Sequence, residues 1–376
     1  MRNALLTLRL LSAPAVWAAL LPFDLDASAG GVRALAQGGP VGVAAQTSPA
    51  AYRGEWTADT RNTWTDADGE PRVQFNLRTG AGDSRWGFGV RLRELAGLPS
   101  SAVANMANDV QFSWTREAGS FRFMGSFDSG RGSGTYTFTP DQAFVTNMGN
   151  AGYRNLSSDD MVRLAMFDVT VGHVRGLAQA GYPNLSLDDI VRTRIHRVTA
   201  QFINDLAGVG YKGIDIETLV RMSIHGATAT NIKALQDAGI RGQSVEDVIK
   251  FRIHKVTPEF IRAMEQRGYK NISADDLVKM RIHKVSAEEM DQLKTLGFGG
   301  ISIDQLVKFR IHKVTPEYIR SMRDVGFNAI SEDQLVRMRI HKVDALFVKH
   351  AREDGLTVQT PGEAVDLAIH GPRRKY

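Results

Sequence analysis

Histidine is the residue type whose spacing first suggests chemistry. His196, His225, His254, His283, His312, His341 and His370 recur every 29 residues, and of the nine histidines only His173 and His350 fall outside the column. Seven aligned imidazoles invite a metal ladder or a pH-sensing row. Stacked helices lie about 8–10 Å apart, too far for imidazoles in successive units to share one ion. Each His stands near a helix end, where a donor or cation meets free carbonyls. The column therefore reads as structural, with pH sensing as the alternative. No metal site and no cofactor is expected.

The second set is charged. Arg163, Arg192, Arg221, Lys250, Lys279, Lys308 and Arg337 form a basic column, and four residues before each stands an acid, from Asp159 to Asp333. Acid before base at i,i+4 predicts intrahelical ion pairs that neutralise this ridge. Two further basic columns have no such complement. Arg194, Arg252, Arg281, Arg310 and Arg339 form one; Arg197, Lys255, Lys284, Lys313 and Lys342 form the other. Both lie beside the His row at the helix end, where the negative helix terminus favours cations. They also make the candidate partner-binding edge, suited to a protein or an anionic envelope polymer. No aromatic residues interleave with them to stack bases, which argues against nucleic acid.

Catalytic patterns are absent. There is no H-E-x-x-H and no G-x-S-x-G. Gly130-x-Gly132-x-Gly134 lacks the order of a phosphate-binding loop and reads as a hairpin turn. Asn155, Asn184 and Asn271 begin glycosylation sequons, which are the repeat's own loop and cap. The 376 residues contain no Cys, excluding disulfides, Cys-ligated zinc, iron–sulfur clusters and thiol catalysis. A net charge of +5 is only mildly basic, and 43% apolar residues are enough to bury a core.

These columns are set by a repeat. Gly152, Gly181, Gly210, Gly239, Gly268, Gly297, Gly326 and Gly355 are each 29 residues apart, giving eight units over 139–376, the last degenerate. Within one unit, Thr257 caps a first helix with Pro258 at its first position, and Gly268 ends it. Ser273 caps a second helix, which buries Leu277, Val278 and Ile282. The second-helix caps recur as Ser157, Ser186, Asp215, Ser244, Ser273, Ser302 and Ser331. The first-helix caps are Thr170, Thr199, Thr228, Thr257, Ser286, Thr315 and Asp344. Helices of about ten residues are marginal alone, so the units must stack.

Upstream, residues 52–138 alternate apolar and polar. Val73, Phe75 and Leu77 are followed by Trp86, Phe88 and Val90, then Phe112 and Trp114, Phe121 and Phe123, and Tyr136 and Phe138, with turn clusters between. This predicts about six short antiparallel strands in a small sandwich or partly closed barrel. The expected fold is α+β multidomain: that β domain followed by an α-solenoid of helix–turn–helix units. Residues 1–29 read as an export signal, with Arg2 and Arg9, the apolar run Leu10 to Phe23, and Ala27-Ser28-Ala29. Residues 30–51 read as a flexible linker. A periplasmic or secreted protein is expected, with no membrane span in the mature chain.

The stretch from Gly134 to Phe144, followed by units of the form Arg281-Ile282-His283-Lys284-Val285, resembles the C-terminal extracytoplasmic part of some bacterial BlaR-type membrane metallopeptidases and related exported proteins. The resemblance covers about residues 52–376 and implies a β module leading into helical repeats, in a sensory or interaction setting. The sequence has neither the peptidases' transmembrane helices nor their zinc motif, so peptidase activity does not carry over.

The leading expectation is an exported, non-catalytic binding or scaffold protein. One alternative is an enzyme with a site in the β domain, marked by polar groups converging around Trp86, Trp114 and Arg131. Another is a cytoplasmic polyanion binder, which requires the export signal to be false.

Overall fold

The computed structural model describes residues 51–65, 71–79, 85–98 and 106–371. The expected export signal, and all of the expected linker except Ala51, lie outside the described residues.

Six antiparallel strands come first: β1 (Tyr52–Thr65), β2 (Pro71–Thr79), β3 (Arg85–Arg91), β4 (Ala107–Arg116), β5 (Gly119–Asp128) and β6 (Arg131–Pro140). They form one sheet in the order β3-β2-β1-β6-β5-β4, with Trp56 opposite Leu77 on one side and Gly134 on the other. The predicted alternation holds: Val73, Phe75, Leu77, Phe88, Phe112, Trp114, Phe121, Phe123, Tyr136 and Phe138 are all buried. The sheet curls so that its two ends face each other. Phe88 of β3 stacks on Trp114 of β4 at 5.0 Å, and Phe75 meets Phe112 at 6.0 Å. Just beyond β3, Ala96 and Ser113 exchange backbone hydrogen bonds of 2.9 and 2.8 Å. The architecture is thus one partly closed sheet, filled by rings in tilted and stacked contact.

The glycine-rich hairpin is a turn, as its sequence suggests. Ser129 and Gly130 both have positive φ, +48° and +82°, as a tight β5–β6 connection requires. Gly132 faces the rings of Trp56 and Phe127, where a Cβ would lie within 2.8 Å of their atoms.

Sixteen helices follow among the described residues, two per unit. Those preceding each repeat glycine are α1 (Gln142–Asn150), α3 (Val171–Gln179), α5 (Ala200–Gly208), α7 (Ala229–Asp237), α9 (Pro258–Glu265), α11 (Ala287–Thr295), α13 (Pro316–Asp324) and α15 (Ala345–Glu353). The second helices are α2 (Ser158–Met166), α4 (Leu187–Ile195), α6 (Ile216–Ile224), α8 (Val245–Ile253), α10 (Ala274–Ile282), α12 (Ile303–His312), α14 (Glu332–Ile340) and α16 (Pro361–His370). Every cap expected from the sequence accepts a hydrogen bond from the helix's first turn, from Ser157 to Asp344. All eight repeat glycines have positive φ, ending the first helices where a Cβ would be penalised.

Successive units are joined by polar bonds as well as by apolar packing. Tyr153, Tyr182, Tyr211 and Tyr269 each donate a hydroxyl hydrogen bond to a carbonyl 32 residues ahead, at 2.8, 2.5, 2.8 and 2.6 Å. The sheet and the first units share one hydrophobic cluster, running from Trp56 and Phe138 through Phe144, Met148, Met161 and Leu164 to Val191. The change from strand to helix at about residue 139 is therefore not a break in the core.

Candidate functional site

Four of the second helices end in Arg-Ile-His-Lys, at 252–255, 281–284, 310–313 and 339–342, and the structure assigns each residue a different task. The Arg column turns inward. Arg281 donates Nε–H to the carbonyl oxygen of His254 at 3.3 Å, Arg310 to that of His283 at 3.1 Å, and Arg339 to that of His312 at 3.3 Å. Each bond reaches back one unit to an unpaired carbonyl at a helix end. Arg194 bonds in the same way to the carbonyl of Asp168. Where the column has Ser223 instead of Arg, the hydroxyl donates to the His196 carbonyl. Arg252 lies beside Gly226, with its Nε buried and without a hydrogen bond.

The other side of Arg194, Arg281, Arg310 and Arg339 is met by the residue 21 positions earlier, on the first helix of the same unit. Arg281 lies over the Phe260 ring at 5.0 Å and Arg339 over the Tyr318 ring at 4.7 Å. Where that position is Glu289, Arg310 forms an ion pair with it at 3.0 Å. Where it is His173, the imidazole is held down to about 4, first by burial and then by the positive charge of Arg194. His173 stands outside the 29-residue histidine register. Its Nε2 lies 3.0 Å from Thr193 Oγ1, whose own hydroxyl donates to the Ile190 carbonyl at 2.7 Å. With its proton directed to Ile190, Thr193 is the acceptor for a His173 tautomer protonated on Nε2.

The Lys column turns outward. Lys255, Lys284, Lys313 and Lys342 are exposed, with φ between +56° and +58°, and Arg197 shares that conformation at +57°. Among the described residues none of these five has an acidic partner within ion-pair distance. They end the second helices as glycine ends the first. Val285, one residue on, donates its N–H to the Met280 carbonyl at 2.9 Å, and Val256, Val314 and Val343 repeat this bond. The histidines are the preceding residues; their carbonyls receive the Arg bonds. Among the described residues no three His, Asp or Glu side chains are grouped as a metal site.

The neutralised ridge is built differently from the i,i+4 expectation. Arg163 pairs with Asp188, Arg221 with Glu246 at 2.8 Å, Lys250 with Asp275 at 3.4 Å, and Lys279 with Asp304 at 2.7 Å. Each acid lies 25 residues ahead, on the next unit. Within the second helices the ridge pairs are at i,i+3, such as Arg192 with Asp189 at 3.4 Å, Lys250 with Asp247 and Lys279 with Asp276. The acid at the N-terminal turn of a second helix points back along the array, so the charges tie neighbours together instead of decorating one helix.

In the β domain, Trp86, Trp114 and Arg131 serve separate surroundings. Trp114 is buried between Phe88 and Phe121, Trp86 lies against Phe167 and Arg163, and Arg131 is exposed at the β5–β6 turn. A groove of about 240 Å³ beside Tyr153 and Tyr182 is followed one unit later by one of about 550 Å³ beside Tyr182 and Tyr211. Both are therefore features of the stacking itself.

No protein-family model matches the chain, and no curated protein matches it. No helix among the described residues is long and apolar enough to cross a membrane.

Proposed function

We propose that the chain is an exported, non-catalytic binding protein whose helical array presents a basic edge to an anionic partner. The observation that carries this is the placement of Lys255, Lys284, Lys313 and Lys342. Each occupies a left-handed helix-end position where glycine is the easiest residue and a side chain costs conformational energy. The first helices use glycine at the equivalent position in all eight units. Keeping four lysines there, exposed and unpaired, is explained by what their charges do outside the molecule.

The inward Arg column narrows the edge without removing it. Arg194, Arg281, Arg310 and Arg339 are committed to carbonyls within the array, so the lysines are the charges available to a partner. The resemblance to extracytoplasmic repeat segments and the apolar run Leu10 to Phe23 support an exported setting. The test is retention of a soluble polyanion, polyglutamate, by the wild-type protein and by a Lys255, Lys284, Lys313, Lys342→Gln variant. Salt-sensitive retention lost in the variant is expected. Equal retention by both proteins overturns the edge.

A further inference from the structure

Beside the lysines runs a second column that charge counting does not reveal. The last helical residue before each His is isoleucine: Ile195, Ile224, Ile253, Ile282, Ile311, Ile340 and Ile369. The first six are 46–55% exposed and Ile369 is 42% exposed, unlike the buried valines and leucines that precede them in the same helices. Single exposed apolar residues on a surface need no explanation, whereas seven in one register form a patterned surface. Isoleucine is also only a middling helix former, so helix propensity does not account for its choice at a half-exposed end.

Resting on the reading of the lysines as a binding edge, we propose that this edge lies on an anionic lipid bilayer. The exposed halves of Ile253, Ile282, Ile311 and Ile340 enter the headgroup–acyl boundary, and Lys255, Lys284, Lys313 and Lys342 meet the lipid phosphates. Two observations favour this occupant. First, Ile and Lys lie two residues apart at the same helix end in each of these units, so apolar and cationic groups are offered together, as an anionic interface requires. A second copy of the edge would bring like charges together. Second, the same residues recur from unit to unit. A folded protein partner presents different side chains along its length and would be met by different ones here. A bilayer is the same everywhere and is matched by repetition. The contact is peripheral, because no described helix is long enough to span.

The test is flotation of the full-length protein with phosphatidylcholine vesicles, with and without phosphatidylglycerol, beside the polyglutamate measurement. Binding is expected only with phosphatidylglycerol. Each basic residue near an anionic leaflet is worth about 1 kcal/mol, about fivefold in partitioning. Replacing Lys255, Lys284 and Lys313 with Gln should therefore lower vesicle binding about a hundredfold. Ile253, Ile282 and Ile311→Ser should lower it at least tenfold while leaving polyglutamate retention unchanged. Circular dichroism establishes that the Ser variant is folded. Lys284→Gly supplies an independent variant that relieves backbone strain and should still lose about fivefold in binding. Vesicle binding that ignores the Ile substitutions overturns the insertion, since charge alone then accounts for adsorption. Retention on polyglutamate without vesicle binding overturns the bilayer and leaves an acidic protein or polymer as the partner. Binding to neither removes the edge itself.

Discussion

Arg310 links its repeat to the preceding one through the His283 carbonyl, and Glu289 of its own unit holds it there. The Arg310 guanidinium forms an ion pair with the Glu289 carboxylate at 3.0 Å while its Nε–H reaches the His283 carbonyl of the preceding unit at 3.1 Å. The Glu289 side chain is only 12% exposed, so the pair is partly withdrawn from water. Arg310→Met leaves a half-buried carboxylate and a helix-end carbonyl without their donor. Unpairing such groups costs about 1–3 kcal/mol. A loss of that size in urea unfolding, partly recovered by the double variant Arg310→Met, Glu289→Gln, is expected. A change within error would mean that water replaces the guanidinium at no cost.

The pairing also shows which parts of the structure were legible in the sequence. Caps and glycines were, because each acts within a few residues: Ser273 needs only Asp276 N–H, and Gly268 only its own φ. The strand alternation from Val73 to Phe138 was legible because burial on one face imposes a period of two. The direction of the charge pairs was not. Arg221 has Glu217 four residues before it and Glu246 on the next unit, and only the stacking geometry decides for Glu246. The inward turn of Arg281 was hidden for the same reason, since its partners His254 and Phe260 lie 27 and 21 residues away. Exposure of Ile282 ran against expectation. Helical periodicity places it with Leu277 and Val278 on the buried side, but in the last turn Ile282 is half exposed while both of those are buried.

Lys284 separates folding from binding. Its φ of +56° is the left-handed region, where a Cβ costs about 1 kcal/mol relative to glycine, partly offset by glycine's larger unfolded-state entropy. Lys284→Gly is therefore expected to leave thermal stability unchanged or raise it slightly, and Gly226 shows that one unit already uses glycine there. Calorimetry of the two proteins checks this. A clear fall in stability would show that the lysine side chain does structural work the fold does not reveal.

The junction between sheet and array depends on Asp168. Its carboxylate lies 3.7 Å from Arg116 at the end of β4 and also pairs with Arg194 of the next unit. Arg116 in turn pairs with Glu94 at 2.5 Å, and Glu117 accepts the Val171 N–H at 3.2 Å. Because the sheet and the first units share one core, Asp168→Ala should destabilise both together, by about 1–2 kcal/mol for partly exposed pairs acting as a network. Tryptophan fluorescence, which reports the sheet through Trp56 and Trp114, and far-ultraviolet circular dichroism, which reports mainly the helices, should shift to the same lower midpoint. Midpoints that separate would show that the β sheet and the repeats unfold independently.

His173 makes stability fall as the solution is acidified. Burial and the nearby Arg194 charge hold its imidazole down to about 4, against the usual 6.5. Above about pH 6.5 the ring is neutral in both the folded and the unfolded chain, and its contribution does not vary. Between about pH 6.5 and 4 the unfolded chain takes up a proton that the folded chain resists, which favours unfolding. Below about 4 both forms carry the proton and the dependence ends. His173→Phe removes the titration and places there the residue that Phe260 already supplies to Arg281. Thr193 remains satisfied by its bond to the Ile190 carbonyl. The melting temperature of the wild-type protein should therefore fall more steeply than that of the Phe variant between pH 6.5 and 4. Parallel curves over that window would show that His173 is protonated as easily in the folded protein as in the unfolded one.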